Sequence, residues 1–367
     1  MAKLTRRDCI QGTLTSLAAA SATPAAASRV VPPRKSLPVK SGGIQFTEIL
    51  LPGEKKRMRL ARQIGITNAI VTVTGALAKV RREEYVDTLA KIKDEFQAEG
   101  LTILGVESSP VPSEKLKLAT PGRDEEIENY KAAIDALSKV GINMICWNFM
   151  VGLSWYRTRF NAPERGGALT TEFDNRIAKA EGLTKWGEIS EEKVWANMEY
   201  FLKAIIPVAE KAKVKMALHP DDPPLSPLRG IGRICVSAKN FRRVMDTVPS
   251  PFNGVTFCQA NFKAMGEDIE ALAREWSQKR KIFFVHFRDI EGQGEYFRET
   301  FHDNGPTDMA RMLKVYSESG FSGPMRPDHA PTLDGEANDR PGYAMEGKIL
   351  AIGYMRGIMD ALNLPYA

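Results

Sequence analysis

Apolar residues recur along the chain in two alternating rhythms. Runs of five to nine mostly aliphatic and aromatic residues occupy positions 44–51, 68–74, 101–107, 142–150, 214–219, 254–258, 282–287 and 323–328. Runs of that length read as buried strands. Amphipathic stretches of helical period lie between them, at 84–99, 124–140, 191–212, 238–247, 267–278, 307–319 and 344–362. Gly100, Gly141 and Gly320 stand where helix C-caps fall. Eight strands alternating with helices predict an α/β fold, a (β/α)8 TIM barrel, over residues 44–367. A doubly wound open sheet is the competing architecture. It would carry a Gly-rich phosphate loop after its first strand, and none is present. The polar interval 151–189 breaks the rhythm and reads as an insertion after strand 4, on the C-terminal face of the barrel.

Composition narrows the class further. The chain has 367 residues, 43% hydrophobic and 26% charged, which is ordinary globular usage and excludes a disordered or collagen-like chain. Four cysteines are too few for a disulfide-built scaffold. No apolar run reaches the ~18 residues of a membrane span. The net charge of +6 is mild and evenly spread, which argues against nucleic acid and suits a small anionic substrate. A homo-oligomer is left open.

Residues 1–27 read as an address. Lys3, Arg6 and Arg7 form a basic start, a weakly apolar run follows, and Ala25, Ala26 and Ala27 suit a signal peptidase. The Arg6-Arg7 pair resembles a twin-arginine signal and predicts export to the periplasm. Residues 28–43, rich in Pro and Lys, read as a linker. Cys9 leaves with the signal, so Cys146, Cys235 and Cys258 remain.

The candidate chemistry gathers at strand ends. His219 closes the fifth strand, Cys258 the sixth, His286 the seventh, and Asp328 with His329 the eighth. In a barrel these ends converge on one mouth. Imidazole, thiolate and carboxylate together can hold Mn2+, Fe2+ or Zn2+. Arg326 shares strand parity with Asp328, so its guanidinium points the same way and can hold a carboxylate. His329 and Tyr343 are placed to move protons beside a metal-bound substrate.

Several strings resemble the D-mannonate dehydratase family. They are Met216-Ala-Leu-His-Pro-Asp-Asp-Pro-Pro224, Val285-His-Phe-Arg288, Gly323-Pro-Met-Arg-Pro-Asp-His329 and Pro341-Gly-Tyr343. Phe201–Glu210, Cys146-Trp-Asn-Phe-Met150 and Trp155-Tyr-Arg-Thr158 add to them, and the likeness runs from about residue 44 to the end. The resemblance implies a metal-dependent barrel that removes water from D-mannonate to give 2-keto-3-deoxy-D-gluconate. It implies His219, Cys258, His286 and Asp328 as ligands of Mn2+ or Fe2+, and His329 and Tyr343 as proton-transfer residues. Arg288 and Arg326 would orient the substrate carboxylate, and His302 would touch the sugar chain. The rim differs from the family pattern. Strand one reads Gln45-Phe-Thr-Glu-Ile-Leu50 without the usual Trp and Arg, no His follows strand two, and Arg298 stands where a His is usual. An isomerase or epimerase on the same barrel, or a sugar-acid binding protein without turnover, are the competing readings.

Overall fold

The structure is a computed structural model that describes residues 43–367, so the signal reading and nearly all of the linker reading lie outside the described residues. In chain order the first strands are β1 (Gln45–Leu50), β2 (Asn68–Val71), β3 (Thr102–Glu107), β4 (Met144–Trp147), β5 (Arg159–Pro163) and β6 (Leu169–Asp174). They continue with β7 (Lys215–Leu218), β8 (Asn253–Cys258), β9 (Ile282–Phe287), β10 (Ile290–Gln293), β11 (Tyr296–Glu299) and β12 (Pro324–Pro327). Eight of them close a parallel barrel in the order β1-β12-β9-β8-β7-β4-β3-β2. Strands of such a barrel are covered on both faces, which is why β8 and β9 are buried at every position.

The helices form where the period is helical and a side chain caps the start. Ser190, Ser237, Asp268 and Asp308 each accept a backbone N–H from the first turn of the following helix. Each such cap contributes about 1 kcal/mol. In the helix Glu191–Ala212 the buried positions Val194, Met198, Phe201, Leu202, Ile205 and Ala209 form one stripe against the barrel. Phe201 packs on Trp147 of β4 and edge-on to Tyr130, with ring centroids 5.1 Å apart in both pairs. Burying a side chain of this size stabilises the fold by roughly 2–3 kcal/mol. The three glycines expected at C-caps all follow helices with positive φ.

Two expected elements are shorter than their apolar runs by three residues or more. The run 142–150 is strand only over Met144–Trp147. There Asn148 turns the chain, because its Oδ1 accepts from Lys117 Nζ and from the Met150 backbone. The run 68–74 stops at Val71, since Thr74 opens a short helix, Thr74–Leu77.

The insertion is not a plain loop. Its strands β5 and β6 join the hairpin β10–β11 in a four-stranded antiparallel sheet, ordered β10-β11-β6-β5. Phe173, Ile290, Phe297, Leu228, Ala260 and Ala264 form a separate small core beneath it. Nothing in the sequence pattern announces the hairpin, whose turn region around Gly292 and Gly294 is polar and exposed.

Candidate active site

The barrel mouth holds a pocket of about 140 Å³. Its floor comes from strand ends: Glu107, Cys146, His286, Arg326 and Asp328. Its walls come from loops, through Asn148, Met150, Trp155, Asp222, His329 and Tyr343. Inward-facing residues alternate along barrel strands, so Thr256 and Cys258, or Phe284 and His286, share one side.

His219, Cys258 and His286 place ligand atoms within 4.8 Å of one another. His219 Nδ1 lies 2.7 Å from the Pro220 carbonyl. A carbonyl only accepts, so Nδ1 carries the proton and Nε2 keeps its lone pair. Burial pushes the His219 pKa down against the pull of Asp328, Asp222 and Glu107, which favours the neutral ligand form. Both ring nitrogens of His286 are buried without a hydrogen-bond partner. Asp328 joins the group from the side, with Oδ2 3.6 Å from His286 Nδ1 and 3.8 Å from Cys258 Sγ. Burial alone would raise the Asp328 pKa, but Arg326, His329, His286 and Arg288 outweigh it and hold the carboxyl well below its ordinary range. Two imidazoles, a thiol and an ionised carboxylate around orphaned nitrogen atoms fit a divalent transition metal.

A guanidinium–carboxylate network surrounds this group. Arg157 pairs with Asp222 at 2.5 Å and with Glu299 at 2.6 Å. Arg288 donates to Asp328 at 2.7 Å, Asp222 at 2.9 Å, Glu299 at 3.1 Å and also to Asn261. Arg288 was expected to orient a substrate carboxylate. Its three nitrogens are instead engaged by the protein, and it lies behind the pocket wall at 1% exposure. Arg326 does line the pocket, but its fork holds Glu107 through contacts of 2.7 and 3.1 Å. It also approaches Asp328 Oδ1 at 2.7 Å without hydrogen-bond alignment. Glu107, Asp222, Glu299 and Arg157 are therefore parts of the site that sequence reasoning missed. Glu107 closes the β3 run, and Asp222 stands in the string after His219, so both carried a positional signal. Glu299 sits in the unforeseen hairpin and carried none.

His329 and Tyr343 meet at the pocket wall. His329 Nδ1 is 2.7 Å from Glu299 Oε1, and its Nε2 is 3.1 Å from Tyr343 Oη. Burial would raise the Glu299 pKa, yet His329, Arg157 and Arg288 hold it far below the ordinary value. An ionised Glu299 thus accepts a hydrogen bond from Nδ1–H and leaves Nε2 facing the phenol. Burial, reinforced by Asp328, pushes the Tyr343 pKa well up, so the phenol keeps its proton. Gly342 allows the close approach: it has φ +82°, and a Cβ there would meet His329 Cβ and Cγ at 3.0 Å. Behind Tyr343, the fully buried pair Glu48–Lys348 links the first strand to the last helix.

His302 lies away from the pocket, although it was expected to touch the sugar chain. Its Nε2 is 2.7 Å from the Phe287 carbonyl, and its ring is 3% exposed. Burial pushes its pKa down to about 4, against the pull of that carbonyl and of Asp328. An unfolded His titrates near 6.5. Between about pH 6.5 and pH 4 the unfolded chain binds a proton that the folded chain refuses. Stability is complete above this window and falls through it by roughly 3 kcal/mol on acidification. In His302→Gln, urea melts at pH 7 and pH 4.5 are expected to differ by about 2–3 kcal/mol less than in the unaltered chain. An undiminished difference would refute the assignment.

A parallel eight-stranded barrel with two imidazoles, a thiol and a carboxylate at its C-terminal mouth defines a (β/α)8-barrel enzyme whose mouth can hold a metal ion. The D-mannonate dehydratase family model matches residues 53–185 and 175–366. Mannonate dehydratase 2 of Halalkalibacterium halodurans is 34% identical over 345 residues, spanning 85% of this chain and 97% of that protein. The crystal structure of mannonate dehydratase from Streptococcus suis serotype 2 superposes with a TM-score of 0.78 at 28% identity, covering 88% of this chain and 97% of that one. The chain belongs to the D-mannonate dehydratase family. D-psicose 3-epimerase from Clostridium cellulolyticum H10 shares the barrel alone, with a TM-score of 0.55 at 12% identity over 88% of this chain and all of that one.

Proposed function

We propose that this chain is a metal-dependent hydro-lyase that dehydrates D-mannonate to 2-keto-3-deoxy-D-gluconate. The observation that carries the reading is the Glu299–His329–Tyr343 chain of contacts beside the His219, Cys258, His286 and Asp328 group. Family membership and the likeness to mannonate dehydratases support the substrate.

His219, Cys258, His286 and Asp328 would hold the metal, with Mn2+ or Fe2+ the ions that suit the set. When bound, the ion supplies positive charge beside the substrate carboxylate and 2-hydroxyl, where negative charge develops as the C2 proton leaves. The chain's own groups handle the protons. Elimination releases one proton at C2 and consumes one at the departing 3-hydroxyl. His329 Nε2 and Tyr343 Oη, 3.1 Å apart, can exchange a proton between them, so the pair returns to its starting state after each turnover. Glu299 acts through His329: it fixes the ring tautomer and stabilises the imidazolium whenever His329 holds a second proton. Trp155 lines the pocket beside His329, its ring edge-on to the imidazole at 5.1 Å. The basic, Ala-rich start of the chain supports export after folding, which lets the metal load in the cytoplasm.

Mass spectrometry of the reaction mixture tests the reading. Purified protein with Mn2+ and D-mannonate is expected to give a product lighter by one water, and a chelator is expected to abolish it. A panel of other aldonic acids runs alongside. Unchanged D-mannonate beside dehydration of another acid would reject the substrate, and a product of unchanged mass would make the enzyme an isomerase.

A further inference from the structure

His286 belongs to two groups of ligand-type atoms. One is the His219, Cys258 and His286 group; the other is Glu107, Cys146 and His286, whose atoms also lie within 4.8 Å of one another. An imidazole has two nitrogens, and the contacts divide them. Nδ1 stands 3.6 Å from Asp328 Oδ2, on the Cys258 side. Nε2 stands 3.4 Å from Glu107 Oε2. Neither nitrogen has an aligned hydrogen bond. The second group is poorly made to hold an ion of its own. Both Glu107 oxygens already accept from Arg326, at 2.7 and 3.1 Å, and Cys146 Sγ accepts from Thr256 Oγ1 at 3.2 Å. An ion there would sit against a guanidinium, which repels it.

We infer that Glu107 is a positioning residue for the metal site: it takes the Nε2–H of His286 and so fixes the tautomer whose Nδ1 lone pair faces His219, Cys258 and Asp328. The inference rests on the metal-site reading given above. A ligating imidazole donates from its other nitrogen to a carboxylate or carbonyl, and that partner sets both tautomer and ring orientation. His219 uses Nδ1 for this purpose, toward the Pro220 carbonyl. His286 uses Nε2, toward Glu107. The two rings therefore offer opposite nitrogens to one point. Arg326 completes the arrangement. It is the register partner of His286 on the neighbouring strand, and by holding both Glu107 oxygens it keeps that carboxylate from competing as a ligand.

The test uses the full chain and two readouts. The first is Mn2+ affinity by chelator competition. Glu107→Ala is expected to bind Mn2+ about 10–100-fold more weakly. Glu107→Gln, which keeps an acceptor, is expected to recover part of that loss. The second readout is imidazole nitrogen NMR of the unaltered chain loaded with Zn2+ as a diamagnetic probe. Only four histidines must be assigned. His286 is expected to show a protonated Nε2 and a metal-bound Nδ1. The NMR readout decides the matter even if Glu107→Ala leaves Arg326 unpaired and fails to fold. Unchanged Mn2+ affinity in both variants overturns the inference, as does a metal-bound Nε2. A second equivalent of Mn2+ that disappears with Glu107 also overturns it, because Glu107 would then be a ligand. An unaltered chain that takes up no metal sinks the metal-site reading together with this inference, whereas normal uptake with no effect of Glu107 sinks the inference alone.

Discussion

Replacing Cys258 by Ser is expected to leave the barrel folded and to cost it most of its metal. Cys258 is fully buried at the end of β8, and the contacts of its Sγ are with Asn261 Oδ1 at 3.2 Å and Asp328 Oδ2 at 3.8 Å. A Ser hydroxyl is slightly smaller and can donate to the same Asn261 oxygen, so the change in fold stability is about 1 kcal/mol. Its behaviour as a ligand is quite different. A thiol gives up its proton to a metal readily, and an aliphatic alcohol does not. The site would then offer three donors where four had been. Metal affinity is expected to fall by more than the ~10–100-fold typical of losing a supporting partner. Activity at limiting metal should fall with it. Chelator competition measures the affinity, and a thermal melt in chelator separates this loss from unfolding. Normal affinity in Cys258→Ser would remove Cys258 from the ligand set.

Tyr343→Phe separates proton transfer from metal binding. The phenol oxygen contacts His329 Nε2 at 3.1 Å. Its removal deletes one hydrogen bond and leaves no buried charge unpaired, so the melting temperature should move by a few degrees at most. Metal uptake should be unchanged. The rate is expected to drop about 10²–10⁴-fold in kcat, the range for loss of a positioned acid or base. A variant with intact kcat would mean that His329 works without the phenol and that Tyr343 only packs the loop.

The two variants bear on residues that the sequence singled out. All eight barrel strands were legible because a parallel barrel buries both faces of each strand, which leaves near-continuous apolar runs such as Phe283-Phe284-Val285 in β9. Residues that end such runs fall at the mouth by geometry alone, so His219, Cys258, His286 and Asp328 could be collected without coordinates. What remained hidden depends on long-range pairing. Arg288 follows a strand and looks free to bind substrate in the sequence. Only the fold shows Asp222 and Glu299, 66 and 11 residues away in the chain, closing on it. The hairpin β10–β11 was invisible because its strands are four residues each, and β10 is exposed beyond Ile290. Its stability comes from pairing with β6, more than 120 residues upstream.

That cross-chain sheet has a consequence for how the mouth can change. The loop after β4 and the loop after β9 share β-ladders through β6 and β11, and Arg157–Glu299 and Arg165–Asp303 bridge them. The loop after β12 is tied in as well, by the Leu169–Thr332 bridge and by Asn338 donating to the Phe160 carbonyl. Three segments far apart in the gene thus behave as one heritable part. A loop graft or recombination that exchanged any of them singly would break ladder pairs and strand buried charges, so selectivity in this barrel is transplanted by moving the three together.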